Sequence, residues 1–333
     1  MGLPETLQIS DVFNHNPPNR TEPVTKIRKN GQMIKNINRK LLNMSDRSIT
    51  WLFTLPTIIL LIFINIYPLI WSVYLSFTNF KANRRGMEIK WVGTKWYEKI
   101  LTSEDVWANM QVTAHFLFWT ILLQAVIGLS LALLLNREFK GHEMMTTVVV
   151  LPMMLSPAVV GVFWTYIYQP QAGIFNYIIN FFNDFGEFTM IGDFALAPWS
   201  IVIVDTWIWT PFVMLMCLAG LRSIPDYLYE AAEVDRASKW QQFIHITLPS
   251  VMPFLMLAVL FRGIENFKMF DMVNELTGGG PGSVTELASI HLKRAAFEKW
   301  RTGYSSAFAV ILFVTVFGAG NIYVKFLNKL KEK

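Results

Sequence analysis

The chain alternates between long apolar runs and shorter polar segments. Six runs hold roughly 20 or more mostly apolar residues, the length that a helix needs to cross a bilayer. They cover residues 51–77, 113–136, 147–169, 199–221, 250–272 and 304–326. This pattern predicts an all-α integral membrane fold with six transmembrane helices.

Prolines interrupt several of the predicted spans. They are Pro56, Pro68, Pro152, Pro157 and Pro211. A proline inside a membrane helix is tolerated where neighbouring helices or water satisfy the carbonyl group that it frees. Kinking and the lining of a cavity both account for the pattern, and the sequence leaves the choice open.

The runs divide the chain into a transmembrane region, residues 51–326, between two basic ends, residues 1–50 and 327–333. A shorter apolar stretch, residues 173–182, favours an interfacial helix over a span because it is short and apolar on one side.

Composition agrees with a membrane protein. Charged residues make up 16% of the chain and hydrophobic residues 53%, whereas soluble domains carry about 25% charged residues. The single cysteine, Cys217, excludes a disulfide within the chain, and five scattered histidines without cysteine partners predict no metal site.

Lysine and arginine set the expected orientation. With the N-terminus inside, the cytoplasmic segments hold 17 Lys and Arg, against 10 in the segments on the other side. Cytoplasmic loops are the more basic ones, so we expect both termini inside. The basic tail is therefore interpreted as a topology signal rather than as a nucleic-acid site.

Residues 223–249 form a polar segment between the fourth and fifth runs. Ser223 is a candidate helix cap, with Pro225 in the first turn, and Pro249 is expected to end the element. Ala231 and Ala232 lie on one face and permit close approach by another surface. A solvated loop helix and a helix that docks on a partner both fit; the apolar groups favour docking.

This segment resembles a known motif. Residues Glu230, Ala231, Ala232, Asp235 and Ala237 match the EAA loop of permease subunits in bacterial ABC importers. In that family the loop is a coupling helix that sits in a cleft of the ATP-hydrolysing subunit. The family usually has glycine after the aspartate, where this chain has Arg236, so the turn geometry is open.

A second motif supports the resemblance. The stretch with Thr277, Gly279, Gly280 and Pro281 is similar to a loop of the larger permease in maltose-type transporters, where outer loops meet a solute-binding protein. It lacks the Gly-Lys-Ser/Thr ending of a phosphate-binding loop. We therefore expect no ATP hydrolysis by this chain, and we expect the glycines to permit a tight turn.

The resemblance implies an assembly in the bacterial inner membrane. It would contain a second homologous permease, two copies of an ABC ATPase and an extracytoplasmic solute-binding protein. This chain would hold no cofactor, with ATP and Mg²⁺ in the partner subunits, and would contact lipid and a carbohydrate but no nucleic acid.

The fifth run carries an unusual charge. Arg262 lies about 18 Å along the predicted helix at about 1.5 Å per residue. A charge at that depth costs at least ~2.5–3.5 kcal/mol on insertion scales, so it needs a partner or a wet cavity. An internal Arg262–Glu265 pair and solute contact are weighed equally. The family resemblance favours solute contact for some of one helical face, Arg262, Glu265, Asn266 and Met269.

The fourth run supplies aromatic candidates near Asp205. Trp209 and Phe212 are three residues apart, and aromatic rings stack on the apolar faces of sugars. The resemblance implies cavity positions for Ile208, Trp209 and Phe212. The residues slightly favour an oligosaccharide, an acidic one included.

Other functions remain as alternatives. A membrane enzyme using Asp205, Glu265 and His245 lacks a nucleophile–base spacing. An ion-driven secondary transporter would be expected to show internal repeats. An importer of the same family with a non-sugar solute is a third alternative that the sequence does not exclude.

Overall fold

The computed structural model describes residues 46–84, 86, 88–137, 139–182 and 189–331. The predicted basic tail lies outside the described residues as far as residue 45, as do the last two residues of the chain. The chain divides into two units, Met1–Ile70 and Trp71–Lys333.

The described residues fold into helices joined by short connections, with one isolated bridge between Thr78 and Trp91 and no named strand. We number the helices α1 to α12. They are α1 (Asp46–Leu61, a π turn at Ile62–Ile66, then Tyr67–Ser76), α2 (Lys95–Leu101), α3 (Glu104–Leu135), α4 (His142–Val150, with a 3₁₀ turn at Leu151–Met154), α5 (Pro157–Ile167), α6 (Ile174–Phe182), α7 (Ala197–Arg222), α8 (Asp226–Val234), α9 (Lys239–Gln242, a π turn at Phe243–Thr247, then Leu248–Phe267), α10 (Asp271–Leu276), α11 (Ala288–Lys293, with a π turn at Arg294–Glu298) and α12 (Thr302–Lys331).

Five of these helices are long and apolar enough to cross a membrane: α1, α3, α7, α9 and α12. The pair α4 and α5 counts as a sixth span if the two are taken together. The all-helical prediction is confirmed for the described residues, and the short stretch at 173–182 is a helix, as expected.

The third predicted span is not one straight helix. α4 and α5 meet at an angle of 99°. Leu155 and Ser156 take extended conformations, and Pro157 occupies the first turn of α5. Because proline disfavours the helical conformation in the residue before it and donates no hydrogen bond, the apolar run is broken at this point.

The fifth predicted span is displaced. α9 begins at Lys239, not at residue 250, and ends at Phe267, before the predicted end at residue 272. Pro249 does not end the polar element, because it lies in the first turn after a π turn. The second half of the polar segment, from Lys239, is thus continuous with the span, whereas the first half forms the separate helix α8.

α7 lies at the centre of the second unit. Two thirds of the residues in its most apolar stretch are buried (67%). The contact between α7 and α3 is more extensive than that of any other described pair of helices. A Cβ added to Gly128 on α3 would lie 2.9 Å from the Cβ of Val213 on α7. A glycine here permits the close helix approach that membrane interfaces favour.

Candidate functional site

Five polar side chains from three spans meet around one buried carboxylate. Thr120 and Gln124 lie one turn apart on α3, and Arg262 and Asn266 lie one turn apart on α9. Asp205 projects from α7 between them and is fully buried. Residues four apart share a helix face, so each of the two outer helices presents a pair of polar groups to α7.

Hydrogen bonds close this network. The Asp205 carboxylate accepts from Gln124 Nε2 at 2.8 Å, from Asn266 Nδ2 at 2.9 Å and from Arg262 Nη2 at 3.2 Å. Arg262 Nε donates to Gln124 Oε1 at 3.0 Å, and Asn266 Nδ2 also donates to Thr120 Oγ1 at 2.8 Å.

The geometry makes the two buried charges an electrically balanced pair. Asp205 is 0% exposed and Arg262 is 2% exposed. An unpaired buried charge is far more costly than a paired one that also has hydrogen-bond partners. The network therefore ties α3, α7 and α9 together within the apolar part of the bundle.

The Arg262–Glu265 pair that the sequence left open is not formed. Glu265 pairs with Lys268 at 2.9 Å, and both side chains are more than half exposed. Met269 is buried but lies beyond the end of α9. Of the four residues expected on one face, only Arg262 and Asn266 join the network.

Trp209 links the network to the surface. Its ring lies 4.4 Å from Arg262 Cζ, a cation–π contact. Trp209 and Phe212 are half-buried, and Phe212 meets the exposed Phe261 edge-on at 6.4 Å. We call Trp209, Phe212, Phe261 and Glu265 the pathway face. Ile208 does not belong to it, because its side chain is buried in the core.

The polar segment after α7 forms a helical hairpin, which consists of α8 and the first turns of α9, residues 226–249. The Tyr229 and Thr247 hydroxyls lie 2.9 Å apart, and Lys239 donates to Glu233 at 2.8 Å, which lowers the pKa of that carboxyl. The expected cap at Ser223 is wrong: its hydroxyl donates to the Gly220 carbonyl at the end of α7.

The end of α8 explains the unusual arginine. Arg236 has a φ of 56°, the left-handed conformation. Its N–H donates to the Glu233 carbonyl and the Ala237 N–H to the Ala232 carbonyl. These two bonds form a Schellman motif, whose left-handed position is usually glycine. The departure from the family pattern thus leaves the turn geometry intact.

The hairpin presents a mixed surface. Glu230, Ala231, Asp235 and Arg236 are exposed, while Ala232 and Ala237 are half-buried. The neighbouring apolar side chains of Tyr227 (64%), Val234 (84%) and Trp240 (70%) are also largely exposed. Apolar groups exposed on a polar helix are typical of a surface that docks on a partner.

The glycine-rich segment after α10 forms a tight turn. Gly278 and Gly279 have positive φ values of 59° and 93°, whereas Gly280 does not. The Thr285 hydroxyl donates to the Gly280 carbonyl at 2.7 Å, and Arg294 donates to the Gly278 carbonyl at 2.6 Å. The expected unusual backbone is therefore present at two of the three glycines.

The other predicted residues of this glycine-rich segment are anchored as well. Thr277 Oγ1 lies 2.8 Å from Thr285 Oγ1, and Pro281 is half-buried. Within the part of the chain that the structure describes, no group of three or more His, Cys, Asp and Glu side chains could hold a metal ion.

Comparison with known proteins decides the family. Residues 124–332 match the binding-protein-dependent transport system inner membrane component family. The chain belongs to this family. It is accordingly a multi-pass protein of the inner membrane.

Two curated relatives cover most of the chain. The trehalose/maltose transport system permease protein of Thermococcus litoralis is 35% identical over 72% of this chain and 80% of its own length. The sulfoquinovosyl glycerol transport system permease protein of Agrobacterium fabrum is 30% identical over 86% of this chain and 92% of its own length.

A solved structure shares the fold. A chain of the bacterial alginate ABC transporter, crystallised with an alginate pentasaccharide-bound periplasmic protein, aligns with a TM-score of 0.72 at 20% identity. The alignment covers 89% of this chain and 96% of that one. The helices of this permease therefore follow a known transporter architecture.

Sequence reasoning missed the α3 members of the network. Thr120 and Gln124 are polar residues four apart within a mostly apolar span. Such a pair indicates a buried polar contact, because a polar group facing lipid is costly. The sequence thus contained the signal for a buried contact, but it did not show that Asp205, Arg262 and Asn266 are the partners of these two side chains.

Proposed function

We propose that this permease forms part of the translocation pathway of an ATP-driven importer for a carbohydrate, and that its α8–α9 hairpin couples the pathway to an ATPase. The proposal rests on one contact between the two spans. The two spans that flank the hairpin, α7 and α9, are joined by Asp205 and Arg262. A displacement of the hairpin is thereby passed to both spans together.

The partners follow from the family and from the exposed surfaces. Two ABC ATPase subunits bind ATP and Mg²⁺, and one of them receives the hairpin through Glu230, Asp235 and Arg236. A second homologous permease completes the pathway opposite the pathway face. A solute-binding protein meets the outer segment that holds Thr277 and Pro281.

The orientation places both termini in the cytoplasm. The summed lysine and arginine count of the predicted cytoplasmic segments, 17 against 10, supports it, since cytoplasmic segments carry the excess of these residues. ATP favours one access state of the pathway only through its differential affinity for the two states. This chain contributes no catalytic residue, and Glu230 and Asp235 act as docking groups.

The solute is an oligosaccharide in this proposal. Both curated relatives are named for the transport of sugars or a sugar derivative. Trp209 and Phe212 supply half-buried aromatic surface beside the buried network, and such surface stacks on the apolar faces of sugar rings.

Co-purification tests the coupling hairpin. Tagged wild-type chain and Glu230→Lys are isolated from mild-detergent membranes, and the co-eluting proteins are identified. Glu143→Lys is the matched control, because Glu143 is an exposed glutamate in the first turn of α4, outside the hairpin. We expect the ATPase and a second permease with wild type and control, and loss of the ATPase with Glu230→Lys.

Uptake separates the alternatives. A chain that elutes alone and supports uptake driven by an ion gradient, insensitive to Glu230→Lys, would overturn the proposal in favour of a secondary transporter. ATP-dependent uptake of a non-sugar solute, with no uptake of any sugar, would leave the coupling to an ATPase standing and would overturn the assignment of a carbohydrate as the solute.

A further inference from the structure

An open groove lies between α9 and α12 on the surface of the second unit. Its wider part, with a volume of about 480 Å³, lies beside α11 near the end of α9. A narrower continuation of about 330 Å³ extends along α12. Most of the side chains that line it are apolar. We call it the α9–α12 groove, and its main lining residues are Ile264, Phe267, Leu292, Phe313, Val316 and Gly320.

The length of the groove matches one leaflet of a bilayer. On α12 it runs from Ala309 to Gly320, about 16 Å at about 1.5 Å per residue. One leaflet holds about half of the ~30 Å hydrocarbon core. Because α9 and α12 are both candidate membrane spans, the groove meets either lipid tails or another span. Its length and its apolar walls are complementary to an acyl chain.

Two lysines stand at the wide end of the groove. Lys268 directly follows α9 and Lys293 ends α11, and both line the groove. Lys268 Nζ lies 2.9 Å from Glu265, and Lys293 Nζ lies 2.7 Å from Glu298. An ammonium group has three donors, so each lysine can bind a second acceptor while it keeps its glutamate. The two ammonium groups are placed to bind a phosphate at the mouth of the groove.

The turn after α11 adds further positive charge. Residues 293–301 contain four lysines and arginines against one glutamate. Lys299 and Arg301 are exposed, and among the residues that the structure describes neither has a nitrogen within 4.0 Å of a carboxylate oxygen. Clustered lysines and arginines beside a bilayer attract anionic headgroups. The charge around the mouth therefore favours an anionic lipid over a zwitterionic one.

Exposed aromatic side chains accompany these charges. Phe297 borders the groove and is 67% exposed, and Trp300 is 42% exposed. Trp300 has a φ of 52° directly after the end of α11, a left-handed position that glycine usually occupies and that a bulky residue rarely takes. Aromatic rings beside lysines and arginines are typical of the membrane interface. These two rings place the mouth of the groove at the level of the headgroups.

We propose that the α9–α12 groove binds one anionic phospholipid. Its acyl chain lies against Phe267, Phe313 and Val316. Its phosphate lies between Lys268 and Lys293. No member of the pathway face lines the groove, so the bound lipid is distinct from the transported solute, and the site does not depend on which solute the permease carries.

Native mass spectrometry of the purified complex tests this site. The complex is washed in detergent to remove bulk lipid and is then titrated with phosphatidylglycerol or with phosphatidylcholine of the same acyl chains. We expect wild type to bind one phosphatidylglycerol about tenfold more tightly than phosphatidylcholine, because lysines near a bilayer favour the anionic headgroup. The difference between wild type and each variant separates this lipid from lipids bound elsewhere on the complex.

The double variant Lys268→Gln with Lys293→Gln tests the headgroup. It should bind the two lipids with about equal affinity, because both ammonium groups are lost. Lys90→Gln is the matched control, since Lys90 is also an exposed lysine beside a glutamate, Glu88, at 3.5 Å, and it does not line the groove. The control should keep the wild-type preference. A preference for phosphatidylglycerol that persists in the double variant would overturn the assigned phosphate position.

Gly320→Phe tests the acyl chain. Nothing lies within 4 Å of a Cβ at Gly320, so the new ring can occupy the groove without a clash. It should weaken the binding of both lipids about tenfold, because methylene groups lose their apolar surroundings. Gly318→Phe is the matched control, since a Cβ at Gly318 also has nothing within 4 Å and Gly318 does not line the groove. It should bind both lipids as wild type does.

Two other outcomes would overturn the proposal. Equal affinity of wild type for the two lipids would exclude a site for an anionic headgroup. Loss of the second permease from the Gly320→Phe complex, with no lipid retained by wild type, would show that a protein span fills the groove. Neither outcome depends on the coupling of the α8–α9 hairpin to an ATPase.

Discussion

Asp205 on α7 and Arg262 on α9 lie 3.2 Å apart, both buried, inside two candidate membrane spans that are separated along the chain by the α8–α9 hairpin. The pair joins the two helices that enter and leave the hairpin. The pair is therefore a buried contact between the two spans that the hairpin connects.

Removal of one charge should be much more harmful than removal of both. Asp205→Ala leaves the Arg262 guanidinium buried and unpaired, and we expect a loss of roughly 3–5 kcal/mol in the free energy of unfolding. The double variant Asp205→Leu with Arg262→Met should lose clearly less. Denaturant unfolding in detergent measures both. Equal losses in the single and double variants would show that the pair is not an interacting unit.

The contact between α3 and α7 depends on Gly128. A Cβ there would lie 2.9 Å from Val213, so Gly128→Val should lower the free energy of unfolding by about 1–3 kcal/mol through overpacking. Gly318→Val on α12 is the control, because nothing lies within 4 Å of a Cβ at that position. Thermal unfolding of the two variants compares them, and an equally destabilised control would refute the steric explanation.

Arg236 stores backbone strain at the end of α8. Since a left-handed residue with a Cβ costs roughly 1–2 kcal/mol, Arg236→Gly should raise the stability of the hairpin by up to about that amount. Arg236→Ala retains the Cβ and should give no such gain. Hydrogen exchange of residues 226–242 reads the local stability. Faster exchange in Arg236→Gly than in Arg236→Ala would contradict this account.

The stretch around Glu286, which follows the glycine-rich segment, should be sensitive to acid. A hydrogen bond from His291 and the charge of Arg294 lower the pKa of Glu286. A lowered pKa contributes stability that is present above the pKa of an unfolded glutamate, about 4.3, and that is lost as pH falls through the folded value. Thermal unfolding of wild type and Glu286→Gln from pH 7 to pH 3 measures the difference.

The difference between wild type and Glu286→Gln should be constant near neutral pH and shrink below about pH 4.3. Glu275→Gln, a change at an exposed glutamate on α10, should show a small difference throughout. A Glu286→Gln difference that persists unchanged to pH 3 would exclude the ionised carboxylate as its source.

Local patterns predicted the helices well and their breaks less well. The apolar runs identified every candidate span, because hydrophobicity over roughly 20 residues reflects the bilayer itself. The same runs placed one helix across Ser156 and Pro157, where the chain bends by 99°. Proline marked a possible break there as it did at Pro211, which α7 accommodates without ending.

The sequence by itself determined that the chain is a membrane protein, which apolar stretches form its spans and which segment resembles a coupling loop, but not the bounds of the third and fifth spans. These features depend on hydrophobicity, charge and short motifs, all of which are local. Only the tertiary structure decided that Arg262 pairs with Asp205 and not with Glu265, that Gln124 and Thr120 complete the network, and that Ile208 lies in the core. Those facts depend on how α3, α7 and α9 are rotated against one another, and that rotation is set by packing between residues distant in the chain.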